Sequence, residues 1–288
     1  MNFAGTYTAL VTPFKNGNVD YGTLKNIVKA QVDAGVEGLV PVGTTGESPT
    51  LSVDEHLKVI ETVVNTASGT CSVIAGTGAN STAEAVHLTK MAKHAGADAT
   101  LQVTPYYNKP TSEGLYRHFS TVADECGLPV VLYNVPGRSA IPIPINVIER
   151  LSSNPLIQCV KEAGGCVDRV SAIKNVSDIA VLSGDDALLV PMMSVGAVGV
   201  ISVASNIIPE KVKALVDACL ENDFVSAREM HHSLYSLFRD MFIETNPIPI
   251  KAAMAYKEML KEEYRLPLTP IGCDNLNKLL DSLKSVGL

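Results

Sequence analysis

Short apolar, β-rich runs recur along the chain at residues 6–13, 37–43, 72–77, 99–105, 129–135, 157–162, 179–183 and 197–203. Each is bounded by glycine, proline or polar turn residues, which predicts buried strands. Between the runs the apolar spacing becomes helical. Leu24, Ile27, Val28 and Val32 share one face of a segment that stops at Gly35. Leu88, Met91, Ala92 and Ala95 do the same before Gly96. Ser52…Glu55 and Ser81…Glu84 have the spacing of a capping box. Strands alternating with helices predict βα units and a parallel sheet, hence an α/β fold. Eight units in roughly 200 residues is the count of a (β/α)8 TIM barrel. A doubly wound open sheet is the alternative, but it usually has fewer strands and leaves edges.

From about residue 209 the strand pattern stops and helical spacing continues. Pro209 is placed to start one helix, and Ala227, Met230, Leu234, Leu237 and Met241 mark the apolar face of the next. Asn246-Pro247-Ile248-Pro249 and Arg265-Leu266-Pro267-Leu268-Thr269-Pro270 are rigid breaks. The expected division is a barrel over 1–223 and a C-terminal all-helical extension over 224–288.

Composition narrows the function classes. With a formal charge of −7 and no basic run, nucleic acid and acidic membrane surfaces are poor partners. The 6 cysteines form no CxxC pair, which in a chain of 288 residues suggests free thiols in a reducing compartment. The N-terminus has no basic and apolar leader pattern, and no apolar stretch reaches the ~18 residues of a membrane span. The expected location is cytoplasmic.

In a barrel the reactive groups stand at the C-terminal ends of the strands. Here those ends read Gly43-Thr44-Thr45-Gly46-Glu47-Ser48, Thr104-Pro105-Tyr106-Tyr107, Tyr133-Asn134-Val135-Pro136-Gly137-Arg138, Lys161-Glu162, Ser183-Gly184-Asp185-Asp186 and Ile201-Ser202. Lys161 ends an apolar run, so its amine must find a counter-charge or give up its proton. A neutral lysine amine attacks carbonyls and forms a Schiff base. A phenol can pass protons, and threonine hydroxyls and loop N–H groups can hold a carboxylate. An arginine can grip a second carboxylate. Each group also has a plainer reading. Lys161 could lay its stem on the core and reach water, Tyr133 could be a core tyrosine, Thr44 and Thr45 turn residues, and Arg138 a solvated charge. Asp185 and Asp186 could simply cap the next helix. Their common placement on one rim favours the chemical reading. A metal-dependent aldolase would need histidine and carboxylate ligands there; no histidine stands at these strand ends, so no metal is expected. Gly76-Thr77-Gly78-Ala79-Asn80-Ser81 lacks the third glycine of a nucleotide loop, and His231-His232 is expected on a tail helix.

These strand ends, together with Val160-Lys161-Glu162-Ala163 and Asn246-Pro247-Ile248-Pro249-Ile250-Lys251, closely resemble the dihydrodipicolinate synthase family of pyruvate-dependent class I aldolases. The matching pieces span nearly the whole chain in the family's order. The resemblance implies a homotetrameric enzyme of lysine and diaminopimelate biosynthesis that condenses pyruvate with L-aspartate 4-semialdehyde. It implies Lys161 as the Schiff-base nucleophile, with no separate cofactor, and Tyr133 as the proton donor and acceptor beside it. Thr44 and Tyr107 would complete a proton relay, Tyr107 reaching into a neighbouring subunit's site. Thr45 would bind the pyruvate carboxylate, Arg138 the semialdehyde carboxylate, and the backbone of Ile201 would line the pyruvate pocket.

The competing readings are another pyruvate-dependent aldolase, such as a sialic acid (N-acetylneuraminate) lyase, and a barrel that binds without catalysing. Sialic acid lyases tend to carry Ser-Thr where this chain has Thr44-Thr45 and usually lack an arginine at the Arg138 position. A non-catalytic barrel would be expected to lack Lys161 or Tyr133. The resemblance also implies feedback inhibition by L-lysine, at a site matching Ser48, Pro49, His56, Asn80, Glu84 and Tyr106. There Glu84 would pair the effector's amine, while Asn80 and Tyr106 hold its carboxylate. The capping spacing at Ser81 competes for Glu84, and His56, on an early helical turn, reads as a surface residue. Two departures stand out: Val53 lies where lysine-sensitive members often have histidine, and Pro49 where they often have alanine.

Overall fold

A computed structural model describes residues 1–288. Eight parallel strands close into a barrel: β1 Gly5–Ala9, β2 Gly38–Val40, β3 Ser72–Gly76, β4 Ala99–Val103, β5 Val130–Asn134, β6 Ile157–Glu162, β7 Ala180–Ser183 and β8 Gly199–Ser202. Each strand is followed by a helix: α1 Tyr21–Asp33, α2 Val53–Ala67, α3 Thr82–His94, α4 Ser112–Cys126, α5 Ile145–Leu151, α6 Asp168–Val176, α7 Leu189–Met193 and α8 Pro209–Leu220. The expected (β/α)8 barrel is therefore present. Closure pairs Gly5 of β1 with Gly199 of β8. The two backbones meet so closely there that a side chain on Gly199 would collide with Gly5.

The strands are shorter than their apolar runs. Residues 10–13 leave the sheet after Ala9, and a small antiparallel hairpin, Phe14–Lys15 with Asn18–Val19, follows. The second run also stops early, at Val40, and the chain turns through Val42 with φ +50. Apolar residues continue beyond the ladder because the loops above the barrel are packed as tightly as the strands.

Side chains alternate along each strand. Tyr7, Leu101, Val131, Tyr133, Cys159, Leu182 and Ile201 belong to the cluster that fills the barrel interior. Leu39, Val130, Leu132, Val160, Val181 and Val200 face outward into the larger layer under the helices. Lys161, two residues beyond the inward Cys159, continues the inward set.

Three helices follow the eighth barrel helix: α9 Phe224–Asp240, α10 Ile248–Tyr256 and α11 Cys273–Ser285. His231 and His232 lie on α9, as expected. Leu234, Leu237, Phe238, Leu279 and Leu283 join the same core that underlies the barrel helices, so the tail has no separate core. The break before α10 contains a cis Asn246–Pro247 bond, and Leu266–Pro267 is also cis. No helix is long and apolar enough to cross a membrane.

Candidate active site

Tyr133 and Lys161 are direct neighbours in register on β5 and β6. Both are buried, at 7% and 6% exposure. The Lys161 ammonium nitrogen lies 4.4 Å from the centroid of the Tyr133 ring. Lys161 takes part in none of the chain's 11 ion pairs. The plainer expectation, an amine reaching water along a core surface, therefore holds in part: the stem is buried and the amine keeps some contact with solvent, but it lies over a phenol face and has no counter-charge.

The outward side chains one step further along the same strands hold this pair in place. Asn134 and Glu162 are also in register. Asn134 Nδ2 donates to Glu162 Oε1 at 2.7 Å, and the Gly164 N–H donates to the same oxygen at 2.8 Å. Arg169 Nε donates to Glu162 Oε2 at 3.0 Å, and the Ile143 N–H donates to Asn134 Oδ1 at 2.8 Å. With both strand ends fully hydrogen-bonded, a relative slip of Tyr133 and Lys161 would break several buried bonds.

Gly184 leaves room for the Lys161 stem. A Cβ there would lie 3.0 Å from Lys161 Cε and 2.6 Å from Ala163 Cβ. Gly184→Ala is accordingly expected to displace the Lys161 stem and cut turnover by about 10²-fold, the scale of a ~1 Å misplacement. Matched circular-dichroism melts and steady-state rates check this; a variant with wild-type kcat would contradict it.

Thr45 is buried and Thr44 half-buried on the loop after β2. Asn246 Nδ2 donates to Thr45 Oγ1 at 2.9 Å, which leaves the threonine hydroxyl hydrogen free to donate elsewhere. The backbone N–H groups of Thr44 and Thr45 are engaged by no protein acceptor. Arg138, exposed on the short helical turn Pro136–Ser139, donates to the Asn246 carbonyl at 3.2 Å. Asn246 thus joins Arg138 to Thr45, and its own Oδ1 is buried without a partner.

A cavity of about 420 Å³ opens beside these groups, lined by Thr44, Tyr133 and Arg138 at one end. Ser48, Pro49, His56, Glu84 and Tyr106 line it too, as do the departing residue Val53 and several apolar neighbours. Five of the six expected effector residues therefore share one cavity with the strand-end groups. Asn80 does not line it; its side chain instead donates to the Tyr106 carbonyl at 3.2 Å. Thr45, Lys161 and Ile201 are buried and do not line it either. Tyr107 stands apart, 91% exposed with φ +72.

Three expectations change. The Ser52…Glu55 capping box is complete, but at Ser81 only half forms. The Glu84 N–H reaches Ser81 Oγ at 3.5 Å and the carboxylate does not reach back, which frees it for the cavity. His56 is buried rather than on the surface. Burial pushes its imidazole down to about 4, with the Gly76 backbone opposing, so the ring is neutral at pH 7. Asp185 does cap the following turn, accepting from the Ala187 N–H at 3.0 Å, but Asp186 does not. Its carboxylate accepts from Ser202 Oγ at 2.5 Å and from the Val203 and Ala204 N–H groups at 3.0 and 3.2 Å. It thereby fastens the turn that follows Ile201. Burial pushes the Asp186 carboxyl up to about 6, against those hydrogen bonds.

Known proteins match this chain and its fold over nearly their full length. A curated 4-hydroxy-tetrahydrodipicolinate synthase from Aquifex aeolicus is 51% identical, over 99% of this chain and 98% of that relative. The crystal structure of the Acinetobacter baumannii dihydrodipicolinate synthase complexed with pyruvate superposes with a TM-score of 0.97 at 41% identity, covering 99% of both chains. The enzyme from Cyanidioschyzon merolae with lysine bound superposes with a TM-score of 0.96 at 38% identity, covering 99% of this chain and 98% of that one. The profile of the dihydrodipicolinate synthetase family matches residues 2–286, and with such relatives over the whole barrel and tail, the chain belongs to that family.

Proposed function

We propose that this chain catalyses the 4-hydroxy-tetrahydrodipicolinate synthase reaction, joining pyruvate to L-aspartate 4-semialdehyde through an imine on Lys161. The observation that carries the reading is the unpaired Lys161 amine over the Tyr133 ring, on adjacent strands in register. The amine nitrogen attacks C2 of pyruvate, and the carbinolamine loses water to give the imine. Loss of a C3 proton gives an enamine, whose C3 attacks the aldehyde carbon of the semialdehyde while the aldehyde oxygen takes up a proton. The semialdehyde's own amine then displaces Lys161 from C2 and closes the ring, so one water leaves for each pair of substrates joined. Tyr133, with Thr44, is the proposed carrier of these protons. Thr45 and the free N–H groups of residues 44 and 45 suit the pyruvate carboxylate, and the fastened turn at Ile201 suits a backbone wall beside it. Arg138 suits the second substrate's carboxylate. No further cofactor is invoked.

The barrel, 1–223, carries this chemistry, and the helical extension, 224–288, closes it from the side through Asn246. Tyr107 is assigned to the site of a second copy within a homotetramer, a role that fits its exposure. The location is proposed to be cytoplasmic. The deciding experiment is borohydride reduction in the presence of pyruvate, followed by mass mapping. A single reduced pyruvate adduct at Lys161 supports the imine; an unmodified Lys161 rules it out. Aspartate semialdehyde compared with N-acetylmannosamine as the second substrate separates the synthase from the lyase.

L-Lysine is the proposed effector, bound in the cavity through Glu84 to its amine and with His56 and Tyr106 along its length. Turnover is expected to fall as L-lysine is raised to millimolar levels, and Glu84→Gln to blunt that response. An unchanged rate at millimolar L-lysine in the wild type would refute effector binding.

A further inference from the structure

The loop between β2 and α2 carries Thr44 and Thr45 at one end and Ser48 and Pro49 at the other. Its middle residue, Glu47, has left-handed backbone with φ +53, a conformation that costs a non-glycine residue energy and must be held by its surroundings. The Glu47 side chain is completely buried, as is that of Lys251 on α10. Lys251 Nζ meets Glu47 Oε1 at 2.5 Å, and the Arg265 N–H donates to Glu47 Oε2 at 3.2 Å. The ammonium also lies 4.4 Å from the Phe14 ring centroid and 5.0 Å from that of Tyr264. Burial pulls the Lys251 ammonium below the usual lysine range, against the opposing pull of Glu47.

A pair this buried is an inefficient way to stabilise a fold, because apolar residues of the same volume commonly do as well or better. What it adds is direction. Loop and tail meet at three rungs: Asn246 on Thr45, Lys251 and the Arg265 N–H on Glu47, and the Arg265 guanidinium on the Thr50 carbonyl. The second rung holds the strained turn from which Thr44 and Thr45 precede and Ser48 and Pro49 follow.

We infer that the Glu47–Lys251 pair is a positioning element for the pyruvate carboxylate subsite, fixing the turn that presents Thr44 and Thr45 and tying it to the effector cavity. This rests on the imine reading of Lys161 given above. Neither residue touches substrate; both act through the loop.

The test uses the full-length double variant Glu47→Leu/Lys251→Met, which removes both charges and keeps apolar volume. Three quantities are read: the melting temperature, the pyruvate concentration giving half-maximal borohydride labelling of Lys161, and steady-state kcat with KM for each substrate. The expected result is a folded protein whose half-saturating pyruvate rises about tenfold, the scale of one lost hydrogen bond to a charged group. Its kcat falls as well, because Thr44 on the same turn is a proposed proton carrier, while its semialdehyde KM stays near wild type. A folded double variant with wild-type half-saturation overturns the positioning role and leaves the pair purely structural. Should the double variant not fold, Glu47→Gln, which keeps the shape, is read by the same labelling curve, and an unshifted curve overturns the proposal equally. A wild type that takes no label at Lys161 overturns the imine reading and the positioning claim with it; a labelled wild type beside an unshifted variant overturns the positioning claim alone.

Discussion

Lys161→Met is expected to lower kcat/KM by on the order of 10⁴-fold or more, since removing a covalent nucleophile leaves only binding and proton transfer to act. The thioether keeps most of the stem volume in the barrel interior, so the loss should not come from unfolding. Lys161 makes no ion pair, so its removal strands no buried counter-charge. The melting temperature should accordingly move by only a few degrees, as for a volume-conserving swap of under ~1.5 kcal/mol. Borohydride and pyruvate should leave the variant unlabelled. Turnover within tenfold of wild type, or a label retained at the active site, would show that another residue carries the imine. Lys161→Ala should behave alike in rate but melt lower, because the vacated stem leaves a cavity.

The architecture was legible because a parallel barrel imposes two clear periods. Strands covered on both faces read as continuous apolar runs, and their helices repeat at intervals of three and four. The strand-end rule then brought Thr44, Tyr133, Arg138 and Lys161 to one rim without any coordinates. The register of Tyr133 with Lys161 is the geometric form of that adjacency. Run ends were overestimated where apolar side chains continue into packed loops, as at 10–13 and 41–43, since hydrophobicity reports burial and not hydrogen bonding to a neighbouring strand.

What was not legible depends on partners far apart in sequence. Asn246 read as part of a rigid proline break, yet its amide serves Thr45 across 201 positions. Glu47 stood only within a strand-end stretch and Lys251 at the end of a matching motif, yet they pair across 204 positions. No local period encodes such a contact. A cue was present all the same: Ile248-Pro249-Ile250-Lys251-Ala252-Ala253-Met254 sets one charge in an apolar helix, and such a charge needs a partner. His56 was misjudged for a related reason. Its helical face, with Val59, Ile60 and Val63, is the buried one, but one polar residue at the first turn does not reveal which face it takes.

The largest stability effect is expected from breaking the Glu47–Lys251 pair on one side. Lys251→Met leaves the Glu47 carboxylate fully buried with the Arg265 N–H as its remaining partner. A buried charge stripped of its paired cation costs about 3–5 kcal/mol, and the Arg265 guanidinium, which also bears on Glu47, places the loss at the lower end. For a chain of this size that corresponds to a fall of roughly 10 °C in melting temperature. Glu47→Leu should cost a similar amount by stranding the ammonium, relieved in part by the Phe14 and Tyr264 ring faces. The double variant should recover most of the loss, because nothing charged is left to desolvate. Thermal melts of the four proteins form a double-mutant cycle, and a coupling of several kcal/mol is the expected outcome. Single variants that melt with the wild type would mean that water reaches the pair, and that the interior around α10 is looser than its packing implies. The cycle also keeps stability and catalysis apart: the double variant is the one protein in which a recovered fold and a Thr44-Thr45 turn released from the Glu47 pair occur together, so a pyruvate defect that persists there belongs to the geometry of the loop and not to its stability.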